Sequence, residues 1–383
     1  MNLRPATTPL QEPGPEVLSP SLGIADPGAR WWCGQAVLRL RREVAWQRHL
    51  ALGQDPAQAA LDLLRHQEAK EAFFTEDVAA RYLSGMLDTA EPKEGRFQRL
   101  AEIAALSPAE RFTLALALVA RIDGSVGPVC ALCQNDVGRP WPTLAMAQSL
   151  WDDPMSILEA ADPARPLRQL GLIDTKATGD ALTVSPALAR FLASDDPPQR
   201  CGLTPVPRAH AEVQDARLSV APSGSEIVPL VGSAAADSRS FVAELSAERV
   251  CFATSADADH LPEQLLMSRL LDADLLLETP ISDRAALMAF VSPVLRGAGV
   301  RLFVHVTGRD DVSALPQELV GPVLEIPHLS PDDREARLRS ALGKKAAVSA
   351  KELRAIARSY RLEPLEIHRI SVGRRDKKTG RAE

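Results

Sequence analysis

Aromatic residues make up only 4% of this 383-residue chain, and tyrosine occurs just twice. With 45% apolar residues overall, its cores have to be built on Leu, Ala and Val. That favours helical layers and buried parallel sheet over an all-β sandwich. Missing too is any apolar run near the ~18 residues that span a membrane. The N-terminus, MNLRPATTPLQEPGPEVLSP, lacks the apolar core of a secretory signal. A soluble, cytoplasmic protein is therefore expected. Neither charge sign dominates: 44 Lys and Arg stand against 50 Asp and Glu. That balance supplies no global drive toward nucleic acid or an acidic membrane. The five cysteines, Cys33, Cys130, Cys133, Cys201 and Cys251, are odd in number and scattered. In a reducing compartment they read as packing residues rather than disulfides. Cys130 and Cys133 form a lone CxxC with no second pair and no nearby histidine, so core packing is the reading ahead of zinc. Nothing like a G-x-S-x-G nucleophile motif occurs.

What is there divides by texture. The first 28 residues carry many prolines and little apolar patterning, as a mobile tail would. From Arg30 to about Leu87 the pattern is helical, with Asp55-Pro56 and Thr75-Glu76-Asp77 placed as helix starts. LSPAERFTLALALVARI (106–122) opens on a Ser-Pro cap, and Glu110 stands three residues after Ser107, the spacing of a capping box. VCALCQNDV and PTLAMAQSLW read as short helices. LGLIDTKATGDALTV then reads as a hairpin and SPALARFLAS as a closing helix. Three helices, a hairpin and a helix suit a winged helix. Its recognition segment, PTLAMAQSLWDDP, has no basic residue and ends in two acids, and only Arg139 and Lys176 lie nearby. Base and phosphate contacts need more than that, so protein contact is the preferred reading.

After the proline-rich stretch 195–214 the texture becomes strands alternating with helices. Strands are expected at 226–231, 249–254, 274–278, 301–306 and 322–327, with helices near 236–247, 260–271, 283–297, 331–342 and 349–360. Short apolar strands with intervening helices imply a parallel sheet covered on both faces. Within it, IVPLVGSAAADSRSFVAEL (227–245) has the layout of a phosphate-binding loop. Counting from Gly232, however, the second glycine position of G-x-x-x-x-G-K-[ST] holds Asp237, the lysine position Ser238 and the hydroxyl position Arg239. A carboxylate facing a triphosphate repels it. Gly232 then reads as an ordinary strand-to-helix turn, with a weak nucleotide pocket as the alternative. Under that alternative Arg239, Glu278 at the end of LLLE and Thr307 after RLFVHV are the pocket residues, with ATP and magnesium as ligands. His305, inside an apolar strand, reads as a satisfied core histidine.

The segment LSPAERFTLALALVARIDGSVGPVCALCQNDVGRPWPTLAMAQSLW resembles the winged-helix region of a group of bacterial AAA-family ATPases. Some of these are encoded beside contractile injection systems. The likeness is carried by Leu106, Ser107, Pro108, Glu110 and Arg111, then by Leu116, Ala117 and Asp123, then by Leu132, Gln134, Asp136, Val137 and Arg139, then by Pro142 and Thr143. PLRQLGLI (166–173) is similar to the family as well. LPQELVGPVLEIPHLSPDDREARLRSAL (315–342) resembles the end of an AAA core entering its helical lid, with Arg334 at the place of a recurring arginine.

The resemblance implies a multidomain α and α/β protein. Its parts are a disordered tail (1–29), a helical unit (30–93), a winged-helix-like domain (94–194), a linker (195–224), a degenerate AAA-like, P-loop-NTPase-like parallel α/β domain (225–342), a partial helical lid (343–371) and a basic tail (372–383). Since no complete phosphate loop occurs, the family's activity does not carry over. The implied function is a non-catalytic adaptor or assembly module. It would bind a protein partner, an active AAA ATPase or an injection-system component, with no cofactor, membrane or nucleic acid. The alternatives are an ATPase with a divergent nucleotide site and a winged-helix DNA-binding regulator.

Overall fold

The computed structural model describes residues 17–19, 22–53, 63–174, 179–194, 201–206, 226–245, 249–254, 261–278, 300–342, 348–364, 366–367 and 369. The chain divides into two compact units, residues 1–196 and 197–383. Among the described residues the fold is mixed α/β, with helices in both units and one six-stranded, mostly parallel sheet. No described helix is long and apolar enough to cross a membrane.

The N-terminal unit is helical and is organised by α1 (Pro27–Leu52). Asp26 caps it, accepting from the Ala29 N–H at 2.8 Å, and Pro27 takes the first-turn position where a missing N–H costs nothing. Ile24, Asp26, Gly28 and Ala29 are all buried. The tail expected over 1–29 is therefore corrected: from Ile24 onward the chain is part of the core, because α1 needs its cap. Around α1 stand α2 (Leu63–Glu76), α3 (Val78–Leu87), α4 (Arg96–Ile103) and α5 (Pro108–Ile122). The helix start read at Asp77 is present, with Asp77 capping the Ala80 N–H at 2.8 Å. The start read at Asp55-Pro56 lies outside the described residues.

The capping box of α5 is complete. Ser107 Oγ accepts from the Glu110 N–H, and Glu110 Oε2 accepts from the Ser107 N–H at 2.7 Å. Phe112, Leu114, Leu116 and Leu118 of α5 are fully buried, each contributing about 1.5–3 kcal/mol by burial. Then follow α6 (Val126–Cys133), α7 (Leu144–Leu150), α8 (Pro154–Ala160), α9 (Pro166–Gln169) and α10 (Pro186–Ala193). Between α9 and α10 the described residues of the expected hairpin form one antiparallel bridge, Asp174 to Thr183, while 175–178 lie outside the described residues.

The C-terminal unit is built on a sheet of order β1-β3-β4-β5-β2-β6. Its members are β1 (Thr204–Pro205), β2 (Glu226–Val231), β3 (Cys251–Thr254), β4 (Asp274–Leu277), β5 (Arg301–Val306) and β6 (Leu324–Glu325). All pairs are parallel except β1 with β3. β1 falls in the stretch read as linker 195–224. Its neighbours Cys201, Leu203 and Val206 are buried, so residues 201–206 are a sheet edge instead. A proline at that edge is tolerated because one side of an edge strand needs no donor.

β6 is shorter than the 322–327 expected, and Pro229 of β2 supplies the reason at its start. The Ile227 N–H and C=O both face the β6 side, bonded to Leu319 and Gly321. Pro229, two residues on, faces the same side without a donor. The ladder to β6 resumes only at Leu230 and Val231.

The helices described in this unit are α11 (Ser238–Leu245), α12 (Leu261–Leu270), α13 (Arg309–Val312), α14 (Pro331–Leu342) and α15 (Ala350–Ser359). The helix expected at 283–297 lies outside the described residues. Val228, Leu230, Val242, Leu276 and Phe303 belong to the sheet core, while Leu338, Leu353, Ala357 and Ile367 form a separate small core between α14 and α15.

Candidate functional site at the carboxyl ends of the sheet

The connection leaving β2 heads for β3 on one side of the sheet, and that leaving β5 heads for β6 on the other. Their shared carboxyl end is the topological switch point, where open α/β sheets bind ligands. Gly232 ends β2, Glu278 follows β4 and Thr307 follows β5, so the sheet brings these sequence-selected residues to one rim.

Each is already committed. The Gly232 N–H donates to Val306 O at 3.0 Å. A Cβ on Gly232 would stand 3.1 Å from two carbons of Ile326 and 3.2 Å from the Ala236 Cβ. The glycine thus fits the close approach of the chain after β6, where a Cβ would crowd Ile326 and Ala236, with no positive φ involved. Ser238 is buried at the first turn of α11. Arg239 Nη2 donates to the Pro205 carbonyl at 2.7 Å, and its Nη1 stands 3.6 Å from Glu278 Oε1. It anchors the edge strand β1 and stands against the acid that follows β4. Thr307 Oγ1 donates to Asp311 Oδ2 at 2.9 Å, and the Thr307 and Gly308 N–H groups reach the same oxygen at 3.1 and 3.2 Å. Arg334 is not at the rim. Its guanidinium is buried and donates to the carbonyls of Leu362 at 3.1 Å, Ala357 at 2.5 Å and Leu329 at 2.9 Å, clamping α14 to the chain around α15.

The start of α11, where a phosphate would meet backbone N–H groups, holds a carboxylate from the chain itself. Asp237 Oδ1 accepts from the Ser240 N–H at 2.9 Å, and Oδ2 from Ser240 Oγ at 2.6 Å. Arg337 of α14 stands 3.4 Å from the same Oδ2. The crevice beside this pair measures about 360 Å³. Among the described residues its lining includes Asp237, Glu244, Asp333 and Glu363 against a single arginine, Arg337. A carboxylate about 4 Å from a phosphate charge costs roughly 1 kcal/mol in water and about 4 kcal/mol near a protein surface. Four carboxylates against one guanidinium therefore disfavour a polyanion.

His305 is buried on β5, with Leu230 of β2 as its register partner. Burial lowers its pKa, and the Gly232 and Ser233 backbone pulls weakly the other way, so the imidazole is neutral. The expected satisfied histidine is corrected in one respect: among the described residues its Nε2 has no hydrogen-bond partner, and neither has the buried Ser233 Oγ.

At the opposite end of the strands lies a charged group that sequence reading missed. Buried Asp274 accepts from the Arg301 N–H at 3.1 Å and pairs with Arg249 at 3.3 Å, and Arg301 stands 3.5 Å from Glu226. Burial raises the Asp274 pKa, with Arg249 opposing. In the N-terminal unit Cys130 and Cys133 are buried in α6. Among the described residues no three metal-ligating side chains gather.

No family model matches the chain, and a search of curated proteins returns no match.

Proposed function

We propose that this chain is a non-catalytic, AAA-like adaptor or assembly module. It acts in the cytoplasm and binds a protein partner, either an active AAA ATPase or a component of a contractile injection system. One observation carries the reading: the helix start that would grip a phosphate is filled by Asp237, held by Ser240 and Arg337. Arg239 and Thr307, which would have to substitute for the missing grip, are bound to Pro205, Glu278 and Asp311. Gly232 persists for a packing reason.

The winged-helix reading of 94–194 rests on the order α5, α6, α7, antiparallel bridge, α10, with the short helices α8 and α9 inserted between α7 and the bridge. Its surface favours a protein over a duplex. Leu144, Met146, Ala147 and Leu150 of α7 are buried, and Arg139 is paired with Asp136 at 3.1 Å. Around the α6–α7 connection Leu132, Val137 and Trp141 are exposed, Val137 at 93%. Apolar side chains so placed suit contact with another protein.

The test is thermal unfolding of the full chain with and without millimolar ATP and magnesium. A ligand at about 100 times its dissociation constant adds about 2.7 kcal/mol of stability. No shift is expected. A saturable rise would replace this reading with the divergent-ATPase one. A pull-down in which an ATPase with a complete phosphate loop accompanies the chain identifies the partner class.

A further inference from the structure

A second cavity, of about 590 Å³, lies in the N-terminal unit. Helix α1 lines it with Pro27, Arg30, Trp31, Gly34, Gln35 and Leu38. These residues are spaced three and four apart and so form one stripe of the helix. Residues 17–19 and 23–25 turn back over that stripe, and Met86, Thr89 and Pro92 close the far side.

The walls are tied in place. Arg41 Nη2 donates to Val17 O at 2.9 Å, Trp31 Nε1 to Thr89 Oγ1 at 3.0 Å, Gln35 Nε2 to Leu87 O at 3.1 Å and the Ala25 N–H to Ala193 O at 2.8 Å. Gly34 leaves the floor open: a Cβ there would meet nothing nearer than a Val17 methyl at 4.0 Å. The volume and the mostly apolar lining are those of small-molecule sites.

Among the described residues a single charged one, Arg30, lines this cavity. It is exposed, and its Nε and Nη2 both donate to the Ile24 carbonyl, at 2.9 and 2.7 Å. That contact takes the Nε–Nη2 edge and fixes the guanidinium at the rim of an apolar groove, leaving its Nη1–Nη2 edge for a ligand. A fixed planar cation there matches a carboxylate, and the groove behind it matches an aliphatic chain.

The geometry points to a binding site for a medium-chain fatty carboxylate, its head on Arg30 and its tail along Gly34 and Leu38. The site is independent of the switch-point corner and of the adaptor reading.

Isothermal titration of the full chain with decanoate, and separately with 1-decanol, tests it. Saturable uptake of one decanoate per chain is expected. Arg30→Gln should weaken decanoate at least ten-fold and leave decanol unchanged. Gly34→Leu should abolish both, with no loss of thermal midpoint, since it removes a glycine from a helix interior. Arg30 is exposed, so its substitution keeps the test decisive even if the Gly34 variant folds poorly. Absence of saturable decanoate uptake by the native chain overturns the assignment. So does uptake indifferent to Arg30→Gln, or uptake retained by a folded Gly34→Leu.

Discussion

Gly232 shows how a single residue can keep a motif's appearance for a reason unrelated to the motif's chemistry. The turn after β2 was legible from VGSAAADS. The need for glycine was not, because it is set by Ile326, far along the chain, lying 3.1 Å from where a Cβ would stand. Replacing Gly232 by Ala should cost about 1–3 kcal/mol, the usual range for overpacking. Adding Ile326→Val, which trims one of the two crowding carbons, should recover part of that loss. Urea unfolding of the two single variants and the double variant measures the coupling. Additive losses would mean that Gly232 is retained for something other than this contact. Asp237 was read only as a misfit in a phosphate loop. A helix cap was equally written there, in an Asp followed three residues later by Ser240 at the start of an apolar pattern. Its arginine, Arg337, could not be found without the fold.

Among the elements, caps and periodicities were the legible part. The Ser107–Glu110 box, the Asp77 cap and the spans of β2 and β5 follow from residues within a turn of one another. What sequence reading missed is what one element does for another. Asp26 caps α1 and also accepts from the Arg96 N–H at the start of α4. Gly95, at φ +112, contributes no side chain there, and a Cβ on it would fall 2.6 Å from Asp26 Oδ2. One buried carboxylate thus serves two helix starts. Asp26→Ala should destabilise the N-terminal unit by about 1–3 kcal/mol, the cost of stranded buried donors. It should speed hydrogen exchange at both Ala29 and Arg96. Faster exchange at Ala29 alone would reduce Asp26 to an ordinary single cap. The short β6 belongs here too: apolar patterning places a strand at 322–327, but Pro229 withholds the donor that would have extended the pairing.

At the scale of the whole molecule, the thiols report on the two units. All five cysteines are free and buried. Cys33, Cys130 and Cys133 fall in the N-terminal unit, and Cys201 and Cys251 in the C-terminal one. Burial pushes the Cys130 thiol up to about 11 and the Cys133 thiol up to about 12, and it raises Cys33 and Cys251 as well. Thiolate is the reactive form, so the native chain should react negligibly with a disulfide reagent at pH 8. In rising denaturant the thiols should emerge in two steps, three from one unit and two from the other. Five released together would show that the units unfold as one.

The amino-acid sequence by itself determined the alternation of elements, the apolar texture of a parallel sheet and the absence of a phosphate grip, because those depend on neighbours within a few residues. Only the tertiary structure decided that the helix start beside Gly232 is filled by Asp237 under Arg337, that Arg239 and Thr307 are already bound, and that α1 carries a lined groove. Those facts turn on which distant groups meet and which buried donors find acceptors, and no local pattern encodes either.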